Sequence, residues 1–191
     1  MGQYYNIALE DNPLGIITVY DRTLDGEYTM AKLMGHSWWN NDMVAAICQK
    51  IYKHPMRVAW MGDYGNMGVM PNGLSIDLVD KLYTLCWGDY ATYAPLSRKD
   101  GLCFLNNGKY LINHTAKTYV DCTEYYYDNC DKDGWLIHPL PLLTAIGNGQ
   151  GGGDYGGVNA DDVGLWAWDE ISIEDEPRYE YLKQSFIFKE D

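Results

Sequence analysis

The chain has 191 residues, enough for one hydrophobic core and too few to demand several. Its apolar share of 47% excludes a disordered chain. Fourteen basic against 27 acidic residues give a net charge of −13, which disfavours direct binding to nucleic-acid backbones or anionic membranes, because both are held by neutralising cations.

Gln3 to Leu9 and Ile16 to Tyr20 read as strands around the turn residues Asp11-Asn12-Pro13-Leu14-Gly15, hence a hairpin. Asp25-Gly26 marks the next turn. A helix of about 37–53 follows: Asn40, Asn41 and Asp42 offer caps, and Met43, Val44, Ile47, Cys48 and Ile51 share one face. His54-Pro55 ends it, since the residue before proline leaves the α region. Arg57 to Met61 is a short buried strand that stops at Gly62. Residues 62–73 form a loop, and a second helix of 75–87 turns Leu78, Val79, Leu82, Tyr83 and Cys86 inward. Leu102 to Leu105 and Lys109 to Asn113 flank Asn106-Asn107-Gly108, a hairpin signal. Thr118 to Cys122 continues the meander. Trp135 to Ile137 and Leu142 to Ile146 are apolar runs broken by prolines; Leu165 to Ile173 and Ser185 to Phe188 are further strand candidates. The pattern predicts a single α+β domain, 1–191, with a mostly antiparallel sheet and two main helices.

Cys48, Cys86, Cys103, Cys122 and Cys130 are odd in number and contain no Cys-x-x-Cys pair, so neither a disulfide framework nor a zinc knuckle is expected. The N-terminus lacks the basic and apolar runs of a signal peptide, and no apolar stretch approaches the roughly 20 residues of a membrane span. A reducing cytosol is the expected setting, with free, mostly buried thiols and no metal or cofactor.

Gly-Asp-Tyr occurs three times, at 62–64, 88–90 and 153–155. Glycine frees the backbone to turn and presents a carboxylate beside an aromatic wall. Aspartate suits a ribose hydroxyl or an amino group, and tyrosine a base. The same tripeptide also serves to end an element and pack a ring back. The stretch 147–157, Gly-Asn-Gly-Gln-Gly-Gly-Gly-Asp-Tyr-Gly-Gly, formally contains Gly-x-Gly-x-x-Gly, but no helix follows it, which removes the dinucleotide-fold reading. Successive glycine amides still suit an anion. Ordering so many glycines costs entropy, which argues against pure scaffolding. His36-Ser37-Trp38-Trp39 adds a histidine and two tryptophans that cannot share a helical face. His114 and His138 have no Cys or Ser beside them in sequence, so no nucleophile–base pair is predicted.

The Met-Gly-Gln-Tyr-Tyr start, His36-Ser37-Trp38-Trp39, Arg57-Val58-Ala59-Trp60 with Gly62-Asp63-Tyr64, and the glycine-rich Gly-Asp-Tyr segment resemble a largely uncharacterised family of small acidic proteins from bacterial and bacteriophage genomes. The resemblance implies a counter-defence role, such as sequestering a nucleotide-derived signal.

The residues therefore predict a binding module for a small nucleotide-like ligand. Its candidate contacts are Gly151, Gly152, Gly153, Asp154, Tyr155, Asp63, Tyr64, His36 and Trp38, with Arg57 and Lys32 as local positive charge. Sequestering proteins often build sites between subunits, which adds a homo-oligomer to the expectations. Two alternatives stand beside this: a nucleotide hydrolase or transferase using Asp63, Asp154 or His36, and an acidic protein that blocks a basic partner surface.

Overall fold

The computed structural model describes residues 3–11, 14–28, 37–67, 73–98, 109–130, 136–147 and 162–184. In chain order the strands are β1 (Tyr5–Asp11), β2 (Ile16–Tyr20), β3 (Thr23–Leu24), β4 (Glu27–Tyr28), β5 (Met56–Gly62), β6 (Tyr110–Asn113), β7 (Thr118–Asp121), β8 (Ala145–Ile146), β9 (Glu170–Glu174) and β10 (Leu182–Lys183). The helices are α1 (Asp42–Lys50), α2 (Ile76–Trp87), α3 (Cys122–Asn129) and α4 (Pro139–Thr144). Eight strands form one sheet in the order β10-β7-β6-β9-β5-β1-β2, with β8 also paired to β5. The sheet is mostly antiparallel; β5–β8 and β7–β10 are its parallel pairs. The α+β class read from the sequence is therefore the observed one. No helix among the described residues is long and apolar enough to cross a membrane.

Helices cover both faces of the sheet. Tyr5, Ile7 and Leu9 of β1 and Val58 and Trp60 of β5 pack under α1, α3 and α4, with Ile47, Cys122 and Leu140. The alternate residues Ala8, Ala59 and Met61 face α2, with Val79, Leu82 and Cys86. Strands buried on both sides read as continuous apolar runs, which is why β5 is Val-Ala-Trp-Met rather than an alternation. Burying a side chain such as Leu82 contributes roughly 1.5–3 kcal/mol.

Helix α1 starts at Asp42, inside the expected 37–53, and α2 at Ile76, one residue after the expected 75, each directly behind its cap. The Asn41 side chain accepts from the Met43 and Val44 amides, and Ser75 caps α2. Helix α1 stops at Lys50, short of 53, because Lys53 takes φ 55° and donates its amide to the Ile173 carbonyl, turning the chain toward β9. Strand β7 ends at Asp121, whose carboxylate caps α3, so Cys122 is helical. Helix α4 corrects the reading of 139–144 as a broken run: Pro139 and Pro141 occupy its first turn, where no amide is needed, and His138 caps it. Residues 165–168 are turns, not strand, Asp169 has no regular structure, and β9 begins at Glu170. The hairpin at Asn107-Gly108, the strand at 102–105 and the strand at 185–188 lie outside the described residues.

A candidate ligand-binding corner

Strands β5 and β8 run side by side in the same direction, Trp60 beside Ala145 and Met61 beside Ile146. Both therefore leave the sheet at one end. Strand β5 leaves through Gly62-Asp63-Tyr64, and β8 leaves through Gly147, the first residue of the glycine-rich stretch. The exits are in contact. A Cβ on Gly65 would lie 2.7 Å from the Ile146 carbonyl oxygen, and one on Gly147 would lie 2.9 Å from the Tyr5 hydroxyl. Glycine at 65 lets the β5 exit close on the end of β8, and glycine at 147 lets the β8 exit close on the start of β1.

Asp63 is fixed by the start of the chain. Its amide donates to the Tyr4 carbonyl at 2.9 Å, and its Oδ1 accepts from the Tyr4 amide at 3.2 Å. The side chain thus substitutes for a backbone carbonyl and continues the β1–β5 ladder by one pair. Oδ2 has no partner among the described residues. Partial burial raises the Asp63 pKa, opposed by the hydrogen bonds from the Tyr4 amide and its own amide and then by the charge of Arg22. Helix α2 ties the corner down from below: the Tyr83 hydroxyl donates to the Asp63 carbonyl at 3.1 Å, and Trp87 Nε1 donates to the Met61 carbonyl at 3.0 Å.

The Arg22 guanidinium carbon lies 4.7 Å from the ring centroid of Tyr4, 4.7 Å from that of Tyr28 and 5.2 Å from that of Trp87. Such stacking holds a cation by the ring quadrupoles. The second Gly-Asp-Tyr begins directly after Trp87, where Gly88 caps α2 by donating to the Thr84 carbonyl. Arg22 thus lies near Asp63 of the first Gly-Asp-Tyr and beside the Trp87 ring that precedes the second, and Gly147, where the stretch holding the third begins, packs on Gln3 and Tyr5, which also line Gly62. Arg22 is the single basic residue among the first 31, the one signal that could have marked it in the sequence. The aromatic partners Tyr4, Tyr28 and Trp87 carried no such signal among so many tyrosines and tryptophans.

Of the predicted contacts, Asp63 and Tyr64 sit at this corner, and Tyr64 is exposed. Gly151, Gly152, Gly153, Asp154, Tyr155, His36 and Lys32 lie outside the described residues. Trp38 bridges Ile137, ahead of α4, and the described contacts do not bring it to Asp63; its neighbour Trp39 is in the core against Tyr125, Tyr126 and His138. Arg57 is at the opposite end of β5, paired with Glu10 at 3.3 Å and donating to the Trp168 carbonyl at 3.2 Å. The cation near Asp63 is Arg22, not Arg57.

The sequence places neither His114 nor His138 beside a Cys or Ser, but the fold does so for both. His138 Nε2 is 3.9 Å from Cys48 Sγ, and His114 Nε2 is 2.8 Å from Ser172 Oγ. Partners 90 and 58 positions apart leave no local trace in a sequence. Their polarity is wrong for catalysis. The Leu140 amide donates to His138 Nδ1, so the ring proton is on Nε2 and points at the sulfur. Burial pushes His138 down to about 3 and Cys48 well above the ordinary thiol range. Ser172 gives its own proton to Glu174 at 2.8 Å, so His114 donates to it rather than withdrawing from it. An activated nucleophile needs the reverse arrangement. Cys86 and Cys122 are likewise buried, Cys130 is half-buried, all four described thiols are free, and Cys103 lies outside the described residues.

Comparison with family models, with curated proteins and with solved structures gave no match.

Proposed function

We propose that the corner at the ends of β5 and β8 binds a small anionic, nucleotide-like ligand. The observation that carries this reading is the convergence of Gly62-Asp63 and Gly147 on residues 3–5 at one end of the sheet, with Asp63 near an arginine enclosed by three aromatic rings. On an acidic chain, a localised cation next to backbone that approaches closely is what a phosphate needs. The exposed rings of Tyr28 and Tyr64 offer faces for a base. Asp63 Oδ2, with no described partner, offers an acceptor for a ribose hydroxyl or an amino group. The carboxylate repels phosphate, which places the ligand's sugar or base, not its phosphate, against Asp63. The family resemblance extends this reading to a counter-defence protein that removes a nucleotide-derived signal by holding it.

Two experiments test it. Mass spectrometry of the denatured, purified protein is expected to release a nucleotide-like compound, or incubation with a mixed nucleotide pool to deplete one component stoichiometrically. Arg22→Met is expected to weaken retention at least tenfold, about 1.4 kcal/mol, with the fold intact by circular dichroism. Loss of substrate with release of a product, at more than one turnover per chain, instead makes the protein an enzyme. No bound, depleted or altered compound in the pool removes the reading.

A further inference from the structure

A cleft of about 480 Å³ lies between the edge strand β2 and the segment that follows α2, with Ile17, Val19, Leu85, Asp89, Tyr93 and Ala94 in its walls. Strand β2 ends the sheet. Its ladder with β1 pairs Ala8 with Val19 and Glu10 with Ile17. Ala94 donates its amide to the Val19 carbonyl at 2.8 Å, so Val19 directs its backbone groups away from β1. In an antiparallel ladder that direction repeats every second residue, so Ile17 directs both N–H and C=O into the cleft as well. The Ile17 N–H and C=O and the Val19 N–H make no hydrogen bond among the described residues. Residues 92–94 thus start as a partner strand for β2 at Val19 and then diverge, leaving the remainder of the edge open. The tyrosine hydroxyl of Tyr93 is bound to the Cys86 carbonyl at 2.9 Å, which holds the far wall apart from the edge.

The cleft is negative. Asp89 is the one charged residue in its walls. The last turn of α2 contributes Thr84 and Leu85 to the same walls, and that turn has no basic residue to offset the negative end of the helix dipole.

We propose that this cleft accepts an extended peptide carrying a Lys or Arg, added to β2 as a further strand. Three unpaired backbone groups at strand spacing match a peptide's alternating amides and carbonyls, as in β-strand addition; a simple amine or a nucleotide offers no such repeat. Asp89 and the α2 carbonyl end select a cationic side chain. The proposal is independent of the corner at Asp63.

The test uses synthetic, capped heptapeptides in which Lys alternates with Ala, Thr or Val, followed by isothermal titration and amide hydrogen exchange of the full chain. At least one is expected to bind saturably, to slow exchange at Ile17 and Val19, and to weaken with added salt. Replacing its lysines by glutamates is expected to weaken binding at least tenfold, as is N-methylation of the amides that would face β2. Asp89→Lys is expected to weaken it about fivefold or more. Ile17→Pro, which removes an outward amide on an edge strand where proline is tolerated, is expected to act in the same direction. The proposal is overturned if no lysine peptide binds at millimolar concentration. It is equally overturned if glutamate or N-methylated peptides bind as well as the parents, or if Asp89→Lys leaves affinity unchanged.

Discussion

The pocket around His138 and the corner around Asp63 both hold side chains whose proton affinity burial has moved, and they differ in what closes them. His138 lies wholly inside, with Leu140 on one ring nitrogen and Cys48 on the other, and Trp39 across its face. Every polar position on that ring is already used. Asp63 sits half-buried at a strand end, with one oxygen committed to Tyr4 and the other to nothing described. The larger shift belongs to the residue with no room for a ligand. A perturbed pKa therefore marks burial first, and marks a site only where an unused donor or acceptor faces open space.

The largest expected effect tests the sealed side. The unfolded chain takes up a proton on His138 near pH 6.5, while the folded chain holds the ring neutral down to about pH 3. Protons thus bind the unfolded state preferentially across that window, and stability falls as pH drops through it. The loss attributable to His138 is roughly 3 kcal/mol by pH 4. The exposed carboxylate of Asp175, held below its ordinary range by Lys109, then Lys53 and Tyr52, works in the same direction. His138→Asn keeps a capping acceptor for Leu140 and removes the titration, so the difference between the two proteins isolates the ring. Urea midpoints between pH 7 and 4 are expected to fall steeply for the wild type and less steeply for the variant. Parallel curves would mean that His138 is not sealed.

The next effect tests how tightly the open side is built. A side chain at Gly65 meets the Ile146 carbonyl oxygen and Met61 Sδ, both at 2.7 Å. The carbonyl is backbone and cannot swing away without pulling β8 from β5. Gly65→Val is expected to cost roughly 2–3 kcal/mol in urea unfolding. It is also expected to reduce ligand retention, because it separates the exits that form the corner. A neutral substitution would show that the two exits do not touch in solution.

The longer strands, the two long helices and the mixed class were legible because each rests on a local signal. Apolar alternation places β2, a cap followed by periodic apolar residues places α2, and Asp25-Gly26 places the β3–β4 turn, with φ of 53° and 80°. Helix α3 was not legible: Cys-Thr-Glu-Tyr-Tyr-Tyr-Asp-Asn has no apolar period, and only its Asp121 cap and tertiary packing of Cys122 and Tyr125 make it a helix. Helix α4 was hidden by two prolines whose positions in the first turn only the start point reveals. At the corner, Gly62-Asp63-Tyr64 was legible as chemistry. The contribution of Arg22 was not, because it arrives through the long-range pairing of β1 with β5 and of α2 with the sheet. The parallel β8, two residues long, is too short for any pattern to announce, yet it is what brings Gly147 to Gln3 and Tyr5, beside Gly62.

The smallest stability effect is the most informative about the open side. Asp63→Asn keeps an oxygen for the Tyr4 amide and replaces Oδ2, which has no partner among the described residues, with an amide nitrogen. The native carboxyl holds its proton to a higher pH than the unfolded chain does. Wild-type stability therefore declines as pH rises through the interval just above 3.8, and the variant lacks that decline. Since the group is only half-buried, solvent screens part of this, and the two proteins are expected to differ by less than about 1 kcal/mol at pH 7. Ligand retention is expected to fall at least tenfold, because the acceptor facing the ligand has become a donor. If the variant instead loses several kcal/mol, Asp63 is a structural group of the same kind as His138 and the contrast between the two places collapses. If stability and retention both stay unchanged, the carboxylate contributes nothing to binding, and Arg22 with the glycine backbone must carry the ligand without it.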